Sequence, residues 1–296
     1  MKIIHFCAGL EEWNGMANTA RQFVDEDLAR GDDSQLTNNI DEINSGVDVV
    51  MIHGAWLPVL WKASKKAVMV GAKLIIRPSG SYDPVRLGYH AWKKRLVSFC
   101  EHRMLKRADV VLATCNAEAE WVRAYESKVK AVEITDLKRF FKLHGDEKKE
   151  HRGDGVLHLL YLGRRHPLKG VTYLETAVRK VEESLAGTVG ESQKLELKVE
   201  SSVFGVDKER VWEWCDVLVL PTLSENFGRV VAEALEHGKC AITTDGAPAW
   251  EPGCSGGESG VSVGYDGRLL YLHGYREGSD ERRVQLLKSA IEKFVK

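Results

Sequence analysis

No apolar run in this chain is long enough to cross a bilayer, so the sequence offers no spanning helix. Residues 1–7 read as a short strand, too brief for the apolar core of a secretion leader. Cysteine is sparse and scattered. Cys7, Cys100, Cys115, Cys215, Cys240 and Cys254 include no close pair, which argues against a disulfide framework, a zinc site or a redox motif. Buried free thiols in a reducing cytosol fit them, and a cytoplasmic protein is expected. Excess charge of one sign is also missing. The formal net charge is -1, so there is no global signal for a polyanion and nucleic acid is not implied. Internal repeats and low-complexity tracts are absent as well, which excludes a solenoid or propeller.

What is present is an ordinary α/β pattern. The 296 residues, 44% apolar and 29% charged, suffice for two domains with a sizeable core in each. Short β-branched runs alternate with segments of helical period: strands over 2–7, 48–53, 73–77, 109–113 and 129–134, with helices over 16–30, from about 59, over 87–107 and over 118–125. Residues 32–46 are polar and short, so almost no strand–helix pair is expected there and the first domain reads as trimmed. A charged, Gly-bounded stretch over 142–155 reads as a linker, dividing the chain into domains 1–145 and 146–296. The second domain opens on an apolar strand over 156–162 and a helix to about 183. A compressed strand and helix follow over 195–214. The unit 216–243 reads strand–loop–helix–strand, residues 252–267 as loop, and 278–296 as a last helix.

The chain is organised around residues 221–251. Glu225 falls in the loop at a strand's carboxyl end, and Glu233 falls inside the following helix, with seven residues between them. The amides of Phe227, Gly228 and Arg229 open that helix, beside Asn226, and present the positive end of its dipole. Free donors for an anion and two carboxylates for hydroxyls suit a phosphorylated, sugar-containing ligand; an ordinary crossover helix with solvated glutamates is the plain alternative. Arg164 and Lys169 follow the 156–162 strand, where two cations and a helix amino end make a diphosphate clamp; isolated surface charges are the plain alternative. In the first domain, Gly15 closes the loop after the first strand, by itself a plain tight turn, and His53 ends a strand where ligands of α/β folds bind, either as a partner for a sugar hydroxyl or as a structural imidazole. The helix over 87–107 carries Trp92, Lys93, Lys94, Arg95, Arg103, Lys106 and Arg107 against Glu101. It reads either as a solvated face or as a peripheral contact with an anionic membrane.

SENFGRVVAEAL resembles the E-x7-E motif of family 4 glycosyltransferases of the GT-B fold, and GRRHPLKG resembles that family's G-R-x4-K-G. The resemblance implies two Rossmann-like domains with parallel sheets facing an interdomain cleft. It also implies retaining transfer of a hexose-like sugar from a nucleotide diphosphate sugar to a glycan or glycolipid acceptor, as in cell-surface polysaccharide or lipopolysaccharide synthesis. Arg164, Lys169, Glu225 and His53 would be the catalytic set, and Gly15, Asn226, Phe227, Gly228 and Glu233 the donor-binding set. No cofactor or metal is expected, because the protein's own cations take the metal's part. The family's Asn-Gly before an Asp is replaced by Ile134-Thr135-Asp136. A silent glycosyltransferase-like subunit, or a GT-B epimerase or phosphorylase, are the alternatives. An inverting reaction would require a base such as Asp83 or His53.

Overall fold

The computed structural model describes residues 1–12, 14–143, 155–186, 194–201, 203–252 and 260–295. Contacts divide the chain into one unit over Met1–Leu137 and a second over Lys138–Lys296. The expected boundary at 145/146 and most of the expected linker lie outside the described residues.

In the first unit, β1 (Lys2–Cys7), β2 (Asp33–Thr37), β3 (Val49–His53), β4 (Lys73–Arg77), β5 (Val110–Ala113) and β6 (Val132–Ile134) form one sheet. Its order is β2-β1-β3-β4-β5-β6, and every pairing is parallel. The crossovers are α1 (Gly15–Ala29), α2 (Pro58–Met69), α3 (Pro84–Gly88) with α4 (Ala91–Arg107), and α5 (Asn116–Tyr125). Because helices cover both faces, the central strands are largely apolar: Ile4, Phe6, Val50, Ile52, Leu74, Ile76 and Val111 are fully buried. Each such side chain contributes about 1.5–3 kcal/mol relative to exposure.

Two expectations need correction here. Residues 32–46 are not nearly empty, because they hold β2, a 3-10 turn over Ile40–Glu42 and the buried Ile43. The strand was disguised because two of its inward positions are the polar Ser34 and Thr37, both buried. The long helix expected over 87–107 is two helices. α3 stops at Gly88, and His90 takes a left-handed φ of 55° before α4 begins.

The second unit repeats the theme with β7 (Val156–Leu162), β8 (Lys194–Glu200), β9 (Val217–Val219), β10 (Cys240–Thr244), β11 (Val261–Gly264) and β12 (Leu269–Leu272). The order is β11-β12-β10-β9-β7-β8, parallel except for the antiparallel β11/β12 edge. Its helices are α6 (Val171–Ala186), α7 (Gly205–Trp214), α8 (Arg229–Glu236) and α9 (Asp280–Glu292), the last packed on α6. The loop expected over 252–267 therefore contains a strand, which was hidden among glycines. Arg268, 4% exposed, donates to the carbonyls of Leu235 (3.0 Å) and Leu143 (2.7 Å), closing the carboxyl end of α8. Among the cysteines, Cys7, Cys215 and Cys240 are buried free thiols, Cys100 and Cys115 are half-buried, and Cys254 lies outside the described residues.

Among the parallel strands, the chain order reverses between β1 and β3 in the first sheet and between β7 and β9 in the second. Ligands of open α/β sheets bind outside the strand carboxyl ends at such points. Arg164 and Lys169 follow β7, and Glu225 follows β9. Gly15 lies beyond β1, and His53 ends β3.

Candidate functional site

Three loops of the second unit are locked together through the backbone. After β7, the Tyr161 hydroxyl donates to the Arg164 carbonyl at 2.9 Å, and the His166 ring accepts from the Leu168 amide at 3.2 Å. Gly170 follows with a φ of 66°, and a Cβ there would sit 2.0 Å from the Pro221 carbonyl oxygen. No other residue fits. The Leu168 carbonyl accepts from the Leu223 amide (2.8 Å) and the Thr222 hydroxyl (3.1 Å), joining the β7 and β9 loops. The Glu225 amide donates to the Gly246 carbonyl at 2.7 Å, which brings in the loop after β10.

This frame places Lys169 against Glu225 in an ion pair whose side chains are 16% and 21% exposed. The pair is shielded but reachable. Arg164 is exposed on the same loop as Lys169. Burial and the nearby Glu225 carboxylate push the Tyr161 hydroxyl up, so it stays a neutral donor.

Gly228 caps α8 in the left-handed region, φ 64°. A Cβ there would lie 2.9 Å from Leu220 Cδ2 and 3.4 Å from Glu225 Cγ. Phe227 is 4% exposed and packs on Trp250 at 5.1 Å between centroids, and the Trp250 indole N–H donates to its carbonyl. The opening turn of α8 is thus held by an aromatic anchor, and Asn226 beside it is buried. Arg229 lies over the Phe141 ring at 5.0 Å, and burial lowers its pKa although Glu233 and Glu236 oppose the shift.

One turn further, Glu233 is 15% exposed, and Lys208 of α7 brings its ammonium to 2.9 Å from Oε2. That oxygen is buried and accepts no hydrogen bond from the described residues. The approach is therefore an electrostatic contact without hydrogen-bond geometry. Sequence reasoning missed Lys208. The trace it leaves is that Lys208, Glu209 and Trp212 share a helix face. Glu209 meets His237 at 3.1 Å, and Trp212 stacks on His237 at 5.3 Å.

In the first unit, Cys7, His53 and Arg77 stand side by side at the carboxyl ends of β1, β3 and β4. His53 is 1% exposed. Its Nδ1 lies 3.2 Å from Arg77 Nε, and its Nε2 lies 2.9 Å from His5 Nδ1. His5 Nε2 in turn lies 2.8 Å from Asp27 Oδ2. Arginine can only donate, which fixes the direction of the chain. His53 Nδ1 accepts, His53 Nε2–H donates to His5, and His5 Nε2–H donates to Asp27. Burial, then Arg77 and His5, lower the His53 pKa well below the ordinary imidazole value. Both ring nitrogens of His53 are thus engaged inside the unit. Gly15, by contrast, is exposed at the start of α1, where the Asn14 side chain accepts from the Met16 amide at 3.1 Å. Asp83, 1% exposed, caps α3 by accepting from the Val85 amide at 2.9 Å.

Among the described residues no three His, Cys, Asp or Glu side chains gather as a metal set. Within α1, Asp27 also accepts from the Ser34 hydroxyl at 2.9 Å. In the first unit a concavity of about 640 Å³ lined by Lys73, Arg107, Asp109 and Lys130 lies at the amino end of β4, the end opposite His53 and Arg77.

Comparison with known proteins decides the family. Residues 40–135 match the glycosyl transferase 4-like domain, and residues 157–266 match the glycosyl transferases group 1 domain, together well over half of the chain. The chain belongs to the GT-B glycosyltransferases of the family 4 type. Solved structures agree on the fold of this glycosyltransferase. Anabaena HepE in complex with UDP is 13% identical with a TM-score of 0.59, covering 99% of this chain and 91% of that one. Sucrose-phosphate synthase from Thermosynechococcus elongatus is 13% identical with a TM-score of 0.61, over 99% and 90%. The lipopolysaccharide outer core galactosyltransferase WaaB, in its apo form, is 15% identical with a TM-score of 0.57, over 100% and 92%. A comparison with curated protein sequences finds no match.

Proposed function

We propose that this glycosyltransferase moves a hexose-like sugar from a nucleotide diphosphate sugar to a glycan or glycolipid acceptor, with retention at the anomeric carbon and without a metal. The observation that carries the reading is the Lys169–Glu225 pair at the β7/β9 switch point, beside the amino end of α8. Breaking the anomeric bond leaves negative charge on the departing diphosphate and positive charge on the sugar. Preorganised cations and amides stabilise the former. Arg164, Lys169 and the Phe227–Gly228 amides supply them. Glu225 holds sugar hydroxyls, and Glu233 holds the ribose hydroxyls. Without donor, Lys169 neutralises Glu225. An arriving diphosphate gives the ammonium a second anionic partner and releases carboxylate lone pairs to the sugar. HepE has been solved with UDP and with UDP-glucose, which supports a nucleotide sugar as donor. WaaB, a lipopolysaccharide galactosyltransferase, supports a cell-surface glycan or lipid-linked acceptor.

Calorimetry tests the clamp. Lys169→Ala and Arg164→Ala should each weaken nucleoside diphosphate binding by about 1.5–3 kcal/mol, the worth of a charge-assisted bond. Nucleoside monophosphate affinity should stay nearly unchanged for whichever residue meets the distal phosphate. Diphosphate affinities equal to wild type in both variants would sink the assignment. Product anomeric configuration by NMR, with turnover measured in excess EDTA, tests retention and metal independence.

α4 suggests where the acceptor is met. Trp92, Leu96 and Phe99 are 64%, 76% and 66% exposed along one helical stripe. Exposed Lys93, Arg95 and Arg103 flank them, with Lys93 over the Trp92 ring and Arg103 over Phe99. Apolar side chains rimmed by cations, with Glu101 buried, suit an anionic bilayer surface. A peripheral place at the inner face of the membrane follows from this reading.

A further inference from the structure

Resting on the assignment of Glu233 to the ribose hydroxyls, we infer that Lys208 is a positioning residue for that carboxylate and sets how strongly the enzyme requires a 2′-hydroxyl on its nucleotide. Glu233 Oε2 is buried and accepts no hydrogen bond, a costly condition for a carboxylate oxygen unless a ligand completes it. The Lys208 ammonium stands 2.9 Å from that oxygen without making a hydrogen bond to it, and so holds it in place while leaving it to accept from a ligand. A carboxylate is acceptor-only, so what it calls for is a donor, and a ribose hydroxyl is one. The ammonium cannot drift readily, because α7 is docked on the end of α8 independently. Glu209 meets His237 at 3.1 Å, and the Trp212 ring stacks on the His237 imidazole. Trp212 is 1% exposed, so the helix carrying Lys208 is anchored through its core side. Arg229 also bears on Glu233 electrostatically, but from α8 itself, one turn earlier. Among the described residues, Lys208 is the cation that pairs with Glu233 from a separate element.

The test compares UDP, GDP and ADP, each against its 2′-deoxy form, by calorimetry on the full chain. For the nucleotide that binds, wild type should prefer the ribo form by about tenfold or more, the worth of one hydrogen bond to a charged group. Lys208→Ala should collapse that ratio toward unity while 2′-deoxy affinity changes little, and Lys208→Arg should restore most of it. Added to Glu233→Gln, Lys208→Ala should cause no further loss, because the two act as a unit. A loss of affinity that is equal for ribo and deoxy forms would mark Lys208 as merely structural. A wild-type preference that survives Lys208→Ala overturns the Lys208 inference alone. Wild type that binds diphosphate but does not distinguish ribo from deoxy overturns the role of Glu233 and, with it, that of Lys208. Absence of binding to all three diphosphates overturns the donor-site reading itself.

Discussion

At the scale of single residues, His53 shows how position and task separate. A histidine at a strand's carboxyl end has the address of a ligand contact, yet this one is an interior link from Arg77 through His5 to Asp27. The groups that face it are Arg77 on β4, His5 on β1 and, one bond further, Asp27 on α1, with the Phe23 ring alongside at 6.0 Å. Its folded-state pKa is depressed, while the unfolded value is the ordinary one near 6.5. Between those two values the unfolded chain binds more protons, so stability is fully present above pH ~6.5 and falls as pH drops below it. The urea midpoint of wild type should therefore decline on acidification through that window, and His53→Gln should show a shallower decline. Superimposable pH profiles for the two proteins would remove His53 from the account. Glu225, Glu233, Lys169 and Arg164 were legible in the sequence because each lies within a short motif whose spacing survives in one dimension. Lys208 and the His5–His53–Asp27 chain were not. Their partners are distant in sequence, and a polar contact between elements leaves no periodicity to read.

At the scale of elements, the strands read well where both faces are apolar, as in Val156–Leu162, and poorly where inward positions are polar, as in Asp33–Thr37. The edge strand Val261–Gly264 and its neighbour Leu269–Leu272 are four residues each, too short for a period to declare itself. α4 is divided along its length. Glu101, Met104 and Leu105 are buried, with Glu101 accepting from the Trp56 amide (3.1 Å), the Trp61 indole (2.5 Å) and the Tyr82 hydroxyl (2.6 Å). Burial raises the Glu101 pKa against those three donors. The anchored half fixes the helix, and the other half carries the Trp92–Leu96–Phe99 stripe. If that stripe meets an anionic bilayer, flotation with vesicles containing anionic lipid should recover the protein at low salt and lose it as salt rises. Each nearby cation is worth about 1 kcal/mol, so Lys93→Glu with Arg95→Glu should abolish recovery. Recovery indifferent to lipid charge returns α4 to a solvated face.

At the scale of the whole molecule, the two-sheet architecture followed from alternating strand and helix patterns. The family followed from two motifs in the right order, matched over both halves of the chain. No helix of the described residues is long and apolar enough to cross a membrane. In the second unit Lys169 pairs with Glu225 and Lys208 with Glu233. The central claim is that these carboxylates divide the donor between them, Glu225 at the transferred sugar and Glu233 at the ribose. Contacts that tighten in the transition state lower turnover when removed, whereas uniform contacts to a remote group raise the Michaelis constant. Steady-state kinetics of donor consumption, with Glu225→Gln and Glu233→Gln beside wild type, is the most direct test. The account predicts that Glu225→Gln loses turnover at saturating donor, and that Glu233→Gln keeps most of its turnover but needs more donor to reach it. Lost turnover at unchanged donor affinity in Glu233→Gln, or no effect from either substitution, would contradict it.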